Sequence, residues 1–273
     1  MPPSAFALAL ASAFVHALWN ILIARARDAE AATAAALVVA VVAFAPVTVL
    51  VWDLEAAAAP YVAGTAVFHL VYFVLLGAAY RRAELSLVYP LARGLAPVGV
   101  LVVGVAALGV GTSAGQAAGV CAIGAGVLLV RGPRRHADPV GVAFGLAIAG
   151  TIVGYTLVDN AGIEHGNPIT YLEVSLVVPA GLYVGGIVAL KGRAALRREA
   201  GAATLVAGLA TFGAYALVLA ALQLAAAAPV AAVRETSVVI ATFGAAVFLR
   251  ERVRPHRLLG AVLVATGVAL LGL

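Results

Sequence analysis

The chain has 273 residues, of which 64% are hydrophobic and only 11% charged. Soluble domains are about half apolar and about a quarter charged, so this composition excludes a soluble fold and points to a chain folded in lipid. The net charge of +5 does not mark a nucleic-acid surface, because the basic residues do not gather on one soluble face with aromatics among them.

The charges fall in short clusters between apolar runs of about 20 residues, the length a helix needs to cross a bilayer. The spacing predicts helices over 4–23, 31–52, 60–80, 85–108, 113–130, 139–160, 168–190, 201–222, 226–249 and 257–273. The first run lacks a basic leader and a small-residue cleavage site and reads as a retained span, not a signal peptide. Short linkers leave no room for an extramembrane domain. Cys121, the single cysteine, falls in the fifth span and excludes an internal disulfide or a multi-cysteine metal site. The histidines at 16, 69, 136, 165 and 256 are scattered, with neither an HExxH pair nor an Asp-rich metal pair. No metal, cofactor or catalytic residue is therefore expected, and an intramembrane enzyme is a minor alternative. A membrane scaffold is another, although it would call for longer loops.

Of the 17 basic residues, 15 lie in the odd-numbered connections: Arg25 and Arg27; Arg81 and Arg82; Arg131, Arg134 and Arg135; Lys191, Arg193, Arg197 and Arg198; Arg250, Arg252, Arg254 and Arg257. The even connections and both termini carry none but include Asp53, Glu55 and Glu164. Basic residues in short loops stay in the cytoplasm, so the odd connections are expected there and both termini outside.

The two basic residues left over, Arg93 and Arg234, lie inside spans four and nine. A shift of 141 residues lays one on the other and superposes those spans. The stretch from His16 to Asn20 matches Tyr155 to Asn160 more loosely. The sequence therefore reads as two five-helix halves, residues 1–133 and 138–273. An odd number of helices per half inverts the second copy, the arrangement of carriers whose site lies at the repeat interface near the midplane. Each arginine is about eight residues from one end of its span and so roughly 12 Å deep, close to the middle of a hydrocarbon layer about 30 Å thick.

A charged side chain at that depth costs about 2.5–3.5 kcal/mol on insertion scales, so both arginines should face a cavity or a partner. They are candidates to hold a solute carboxylate or phosphate by paired hydrogen bonds. The alternative is internal pairing with Asp159, Glu173 or Glu235, read as the only carboxylates within the spans. Burial and a neighbouring arginine act in opposite senses on the proton of such a carboxyl. A proton-coupled carrier uses that opposition, which makes Glu235, Glu173 and Asp159 coupling candidates. His16, Trp19 and Asn20 share one face of the first span, Tyr89 shares a face with Arg93, and Tyr155 with Asp159. These polar faces look inward in lipid and are candidate binding residues. His69 and Tyr72 in the third span are similar, and Tyr61 reads as an interfacial anchor. Gly111, Gly115 and Gly119, and Gly141 and Gly145, have the spacing of close helix contacts. Pro90, Pro97 and Pro229 can bend the arginine-bearing spans.

The stretches Tyr89–Pro97 (YPLARGLAP), Pro229–Val239 (PVAAVRETSVV) and Phe248–Leu273, with Glu251 before the final helix, resemble EamA-type transporters of the drug/metabolite transporter superfamily. The first half departs from the pattern, with Val110, Gly111 and Thr112 where the second has Glu251 and its neighbours. The resemblance implies an all-α polytopic membrane protein with ten helices, as two inverted EamA-like repeats around a central cavity. It implies a carrier of metabolites or drug-like solutes, often an exporter, in a bacterial-type inner membrane. The family is usually drawn with cytoplasmic termini; we follow the loop charges, which place them outside. The expected partners are the lipid bilayer and a small solute, with protons as a coupling candidate and no nucleic acid. The paired arginines favour an amino acid, organic anion or related solute; a cationic drug-like solute is the alternative.

Overall fold

A computed structural model describes residues 1–83, 85–131, 138–240 and 255–272. Its helices are α1 (Pro3–Ala24), α2 (Ala29–Leu50), α3 (Ala59–Arg82), α4 (Leu85–Ala106), α5 (Ala114–Arg131), α6 (Pro139–Gly162), α7 (Pro168–Lys191), α8 (Arg193–Glu199), α9 (Ala202–Leu222), α10 (Ala227–Arg234) and α11 (Pro255–Gly272). Among the described residues, seven helices are long and apolar enough to cross a membrane, and Ala114–Val130 and Pro255–Leu271 are shorter apolar helices. Outward-facing Val42, Val49, Leu50, Val178, Leu182 and Leu190 are exposed, the surface that lipid covers in a multi-pass membrane protein. Start signals are local. Asp28, Asp138 and Asn167 cap α2, α6 and α7 with side-chain oxygens that accept from first-turn N–H groups.

Two local features depart from the hydropathy reading. The seventh connection folds into the short basic helix α8. The ninth span is not continuous: α10 stops at Arg234, Glu235 is a turn, and helix resumes over 236–240. The Glu235 N–H is shared between the carbonyls of Ala231 and Ala232, and Thr236 Oγ1 donates to the Val233 carbonyl. These shorter-range bonds tighten the turn and break the regular ladder. Expectations on Arg134, Arg135, His136, Phe248, Arg250, Glu251, Arg252 and Arg254 lie outside the described residues.

Packing joins helices far apart in the chain. α1 packs on α9 and α10, while α6 packs on α3 and α4; α2 packs on α7 and α9, and α3 also packs on α7; α5 packs on α11. Backbones touch at the α5–α11 contact. A Cβ on Gly126 would lie 2.6 Å from the Gly260 carbonyl oxygen, and one on Gly267 would lie 2.6 Å from that of Gly119. Gly141 and Gly145 of α6 admit Leu87 and Leu91 of α4. Gly111 and Gly115 meet only open space and Ser113, so the close-contact expectation does not extend to them.

The two faces of the bundle are held differently. On the face of the basic connections, Lys191 Nζ lies 2.6 Å from Glu30 Oε2 and 2.8 Å from both Asp28 oxygens, and Arg81 also pairs with Glu30. Glu30 is buried, which corrects the reading of Asp159, Glu173 and Glu235 as the only carboxylates within the spans: α2 begins before its apolar run does. Burial pushes the Asp28 carboxyl up, but the Lys191 ammonium and the Ala31 and Glu30 N–H groups outweigh it and hold it below the usual aspartate range. On the opposite face the second and sixth connections are strapped together. Glu55 N–H donates to the His165 carbonyl and Asn167 N–H to the Asp53 carbonyl, both at 2.9 Å. Gln223 Nε2 donates to the carbonyls of Ile163 and Gly166.

Candidate functional site

A central cavity, with about 950 Å³ of empty space including its opening, lies among α1, α2, α3, α4, α6, α7, α9 and α10. It extends toward the face of the basic connections, where Ile23 and Thr33 line it close to the ends of α1 and α2. A second, shallower space of about 740 Å³ opens on the other face between the end of α4, the end of α6 and the start of α10, lined by Thr112, Gln116, Asn160 and Glu164 among others.

The central cavity has a polar and an apolar side. His16, Trp19, Asn20, Tyr89, Tyr155 and Arg234, all singled out from the sequence, line it. Phe73, Leu76, Leu172, Leu176 and Phe212 form the apolar part. Arg93, Asp159, Glu173 and Glu235 are not on the wall; each is at least 95% buried.

The two arginines have different surroundings. Arg93 Nη1 donates to Glu235 Oε1 at 2.9 Å, and its Nη2 abuts His16 Nε2. The guanidinium carbon lies 5.4 Å from the Tyr89 ring centroid. His16 Nδ1 accepts from Trp19 Nε1 at 3.0 Å. Trp19 and Arg93 only donate, and a neutral imidazole has one accepting nitrogen, so His16 serves one of them at a time. Arg234 is 6% exposed and its Nε has no hydrogen-bond partner. Among the described residues no carboxylate pairs with it; its guanidinium carbon instead sits 5.1 Å from the Tyr215 ring centroid.

Asp159 is reached by hydroxyls rather than by arginine. Tyr171 donates to Oδ1 at 3.2 Å, Thr65 donates to the same oxygen, and Tyr215 donates to Oδ2. His69 joins the cluster through the Thr65 carbonyl at 3.0 Å and stacks on Tyr155 with ring centroids 4.7 Å apart. Glu173 Oε2 and Glu235 Oε2 are buried without a hydrogen-bond partner. Among the described residues no group of three histidine, cysteine or acidic side chains is placed to hold a metal.

Sequence reasoning passed over Tyr215, Thr65 and Tyr171. Thr65, His69 and Tyr72 recur at helical spacing in α3, and Thr211 and Tyr215 do so in α9. The same one-face argument that found His16, Trp19 and Asn20 applies to both sets.

Residues 139–273 match the EamA-like transporter family. No curated protein matches the chain. Chains of solved structures do match, 25 in number. One, described only as "Crystal structure of protein", superposes with a TM-score of 0.76 at 12% identity, over 99% of this chain and 98% of that one. At that identity the likeness shows the fold alone.

Proposed function

Through residues 139–273 the chain belongs to the EamA-like transporter family, and on that premise we propose that it is a secondary transporter exporting a small anionic or zwitterionic metabolite, such as an amino acid or organic anion, across a bacterial-type inner membrane. The observation that carries the choice of solute is Arg234. Among the described residues no carboxylate pairs with this guanidinium buried at a cavity wall, and such a charge is electrostatically incomplete. A solute carboxylate supplies the planar, two-oxygen partner that guanidinium geometry suits. The apolar wall of Phe73, Leu172, Leu176 and Phe212 suits a solute with a hydrocarbon body.

The proposed architecture is two inverted repeats, 1–133 and 138–273. Its support is the exchange seen in the packing: α1 on α9 corresponds to α6 on α3, α2 on α9 to α7 on α3, and α10 on α1 to α4 on α6. Such halves can open a midplane site to either face in turn, and the two cavities on opposite faces suit that cycle. The loop charges put the basic connections in the cytoplasm and both termini outside. Glu235, Glu173 and Asp159 are the candidates for proton coupling.

A cationic drug-like solute is the second reading. It is favoured by the aromatic wall of His69, Tyr72, Tyr155 and Tyr215, which offers ring faces to a cation. Uptake of L-phenylalanine and phenethylamine into proteoliposomes separates the two, because these solutes differ only by the carboxylate. Saturable phenylalanine uptake that is lost in a folded Arg234→Ala variant supports the anion reading. Uptake of phenethylamine alone, or full activity of Arg234→Ala, overturns it.

A further inference from the structure

We propose that Asp159, acting through Tyr215, sets the pose of Arg234 at the cavity wall and is thus a positioning residue for solute binding although it does not line the cavity. The inference rests on the reading of Arg234 as the anion partner of the solute.

Arg234 is the last residue of α10, at the break before Glu235, and its Nε has no partner. The Tyr215 ring of α9 lies against its guanidinium, 5.1 Å away. That ring is fixed in turn. Tyr155 and His69 meet it edge to face, with centroids 5.8 and 5.5 Å away, and its hydroxyl donates to Asp159 Oδ2. Asp159 is fully buried on α6, and its other oxygen takes the hydroxyls of Thr65 from α3 and Tyr171 from α7. Side chains from four helices therefore meet at one carboxylate, and among the described residues the one of its donors that also touches the arginine is Tyr215.

A tyrosine hydroxyl has a single proton to give. Donating it to Asp159 ties the ring at its far end, while its π face lies against the guanidinium. The carboxylate thereby restricts where Arg234 can present its N–H groups. Loosening that restriction makes the solute bear an ordering cost that the folded protein otherwise carries.

The experiment uses a Trp52→Phe background, which leaves Trp19 on the cavity wall as the only tryptophan. Phenylacetate and its uncharged analogue phenylacetamide are titrated against the protein in nanodiscs and followed by Trp19 fluorescence. Tyr215→Phe keeps the ring and removes the tether; Asp159→Asn keeps the shape and puts an amide N–H₂ among hydroxyl donors. Each is expected to weaken phenylacetate binding by about tenfold and to leave phenylacetamide unchanged. The double variant should lose no more than either single one, because both changes cut the same link. Tyr171→Phe, which removes an Asp159 donor away from the arginine, should leave phenylacetate affinity in place. Unchanged phenylacetate affinity in Tyr215→Phe, additive losses in the double variant, or equal losses for phenylacetate and phenylacetamide overturn the tether. If Asp159→Asn does not fold, Tyr215→Phe decides. Phenylacetate binding that survives Arg234→Ala overturns the anion reading itself, and its loss there with no effect of Tyr215→Phe overturns the tether alone.

Discussion

Arg93 and Arg234 stand 141 residues apart; Arg93 is ion-paired with Glu235, and among the described residues no carboxylate pairs with Arg234. The difference lies in the residue that follows each. After Arg234 comes Glu235; after Arg93 comes Gly94, where a Cβ would already be 2.8 Å from Leu128 Cγ and 3.0 Å from the Gly124 carbonyl. Glu235, in the turn that follows Arg234, reaches across to Arg93 rather than to its own neighbour. Among the described residues Glu235 pairs with Arg93, and the cavity-lining Arg234 has no carboxylate partner. Two arginines buried in one bundle therefore need not share a role.

The sharpest way to break this contrast is to delete each arginine in turn. Arg93→Ala leaves Glu235 buried without its partner and should cost about 3–5 kcal/mol, seen as a large fall in the thermal midpoint of detergent-solubilised protein. Removing Glu235 as well, in Arg93→Ala/Glu235→Ala, should recover a good part of that loss. Arg234→Ala should cost far less, because it removes a charge with which no carboxylate pairs among the described residues. Equal destabilisation by the two single variants would end the distinction.

A smaller effect compares two kinds of glycine in α5. Gly126→Val pushes a side chain into the Gly260 backbone and should cost about 1–3 kcal/mol by overpacking. Gly115→Ala, which meets only Ser113 Oγ at 3.9 Å, should stay within about 0.5 kcal/mol. Comparable losses at both sites would mean that the α5–α11 contact is looser than the structure has it.

The smallest effect belongs to the ionic cluster at the face of the basic connections. The folded protein holds the Asp28 carboxyl below its ordinary range, so its contribution is present above the unfolded value and fades as pH falls through the folded one. Asp28→Asn should therefore narrow the stability difference between neutral and acidic pH by roughly 1 kcal/mol or less, as expected for a solvent-accessible pair. Unfolding midpoints of wild type and Asp28→Asn from pH 7 to pH 3 measure it. A difference that does not change with pH would remove Asp28 from the account.

Legibility in the sequence was uneven, for physical reasons. Helix ends came within a few residues of the hydropathy limits at α1, α3 and α6, where Arg25, Arg82 and Asp138 mark the edges of apolar runs. His16, Trp19 and Asn20 could be placed on a common face because a helix repeats every 3.6 residues and polar faces avoid lipid. Tyr215, Thr65 and Tyr171 went unnoticed because single hydroxyls are cheap in an apolar helix and carry no charge to draw the eye. The break at Glu235 was also missed, since a tightened turn leaves no mark in hydropathy.

The sequence by itself determined where the long apolar helices α1 to α7 and α9 lie, though not the short α8 or the break at Glu235. In lipid every backbone N–H and C=O must be satisfied within the chain, so an apolar run of sufficient length has few alternatives. It also determined that charge inside those runs needs an inward-facing environment. Only the tertiary structure decided that Glu235 serves Arg93, that three hydroxyls from three helices serve Asp159, and that Arg234 keeps the cavity. Those outcomes depend on how helices far apart in the chain turn toward one another, and a periodicity confined to one helix does not encode that.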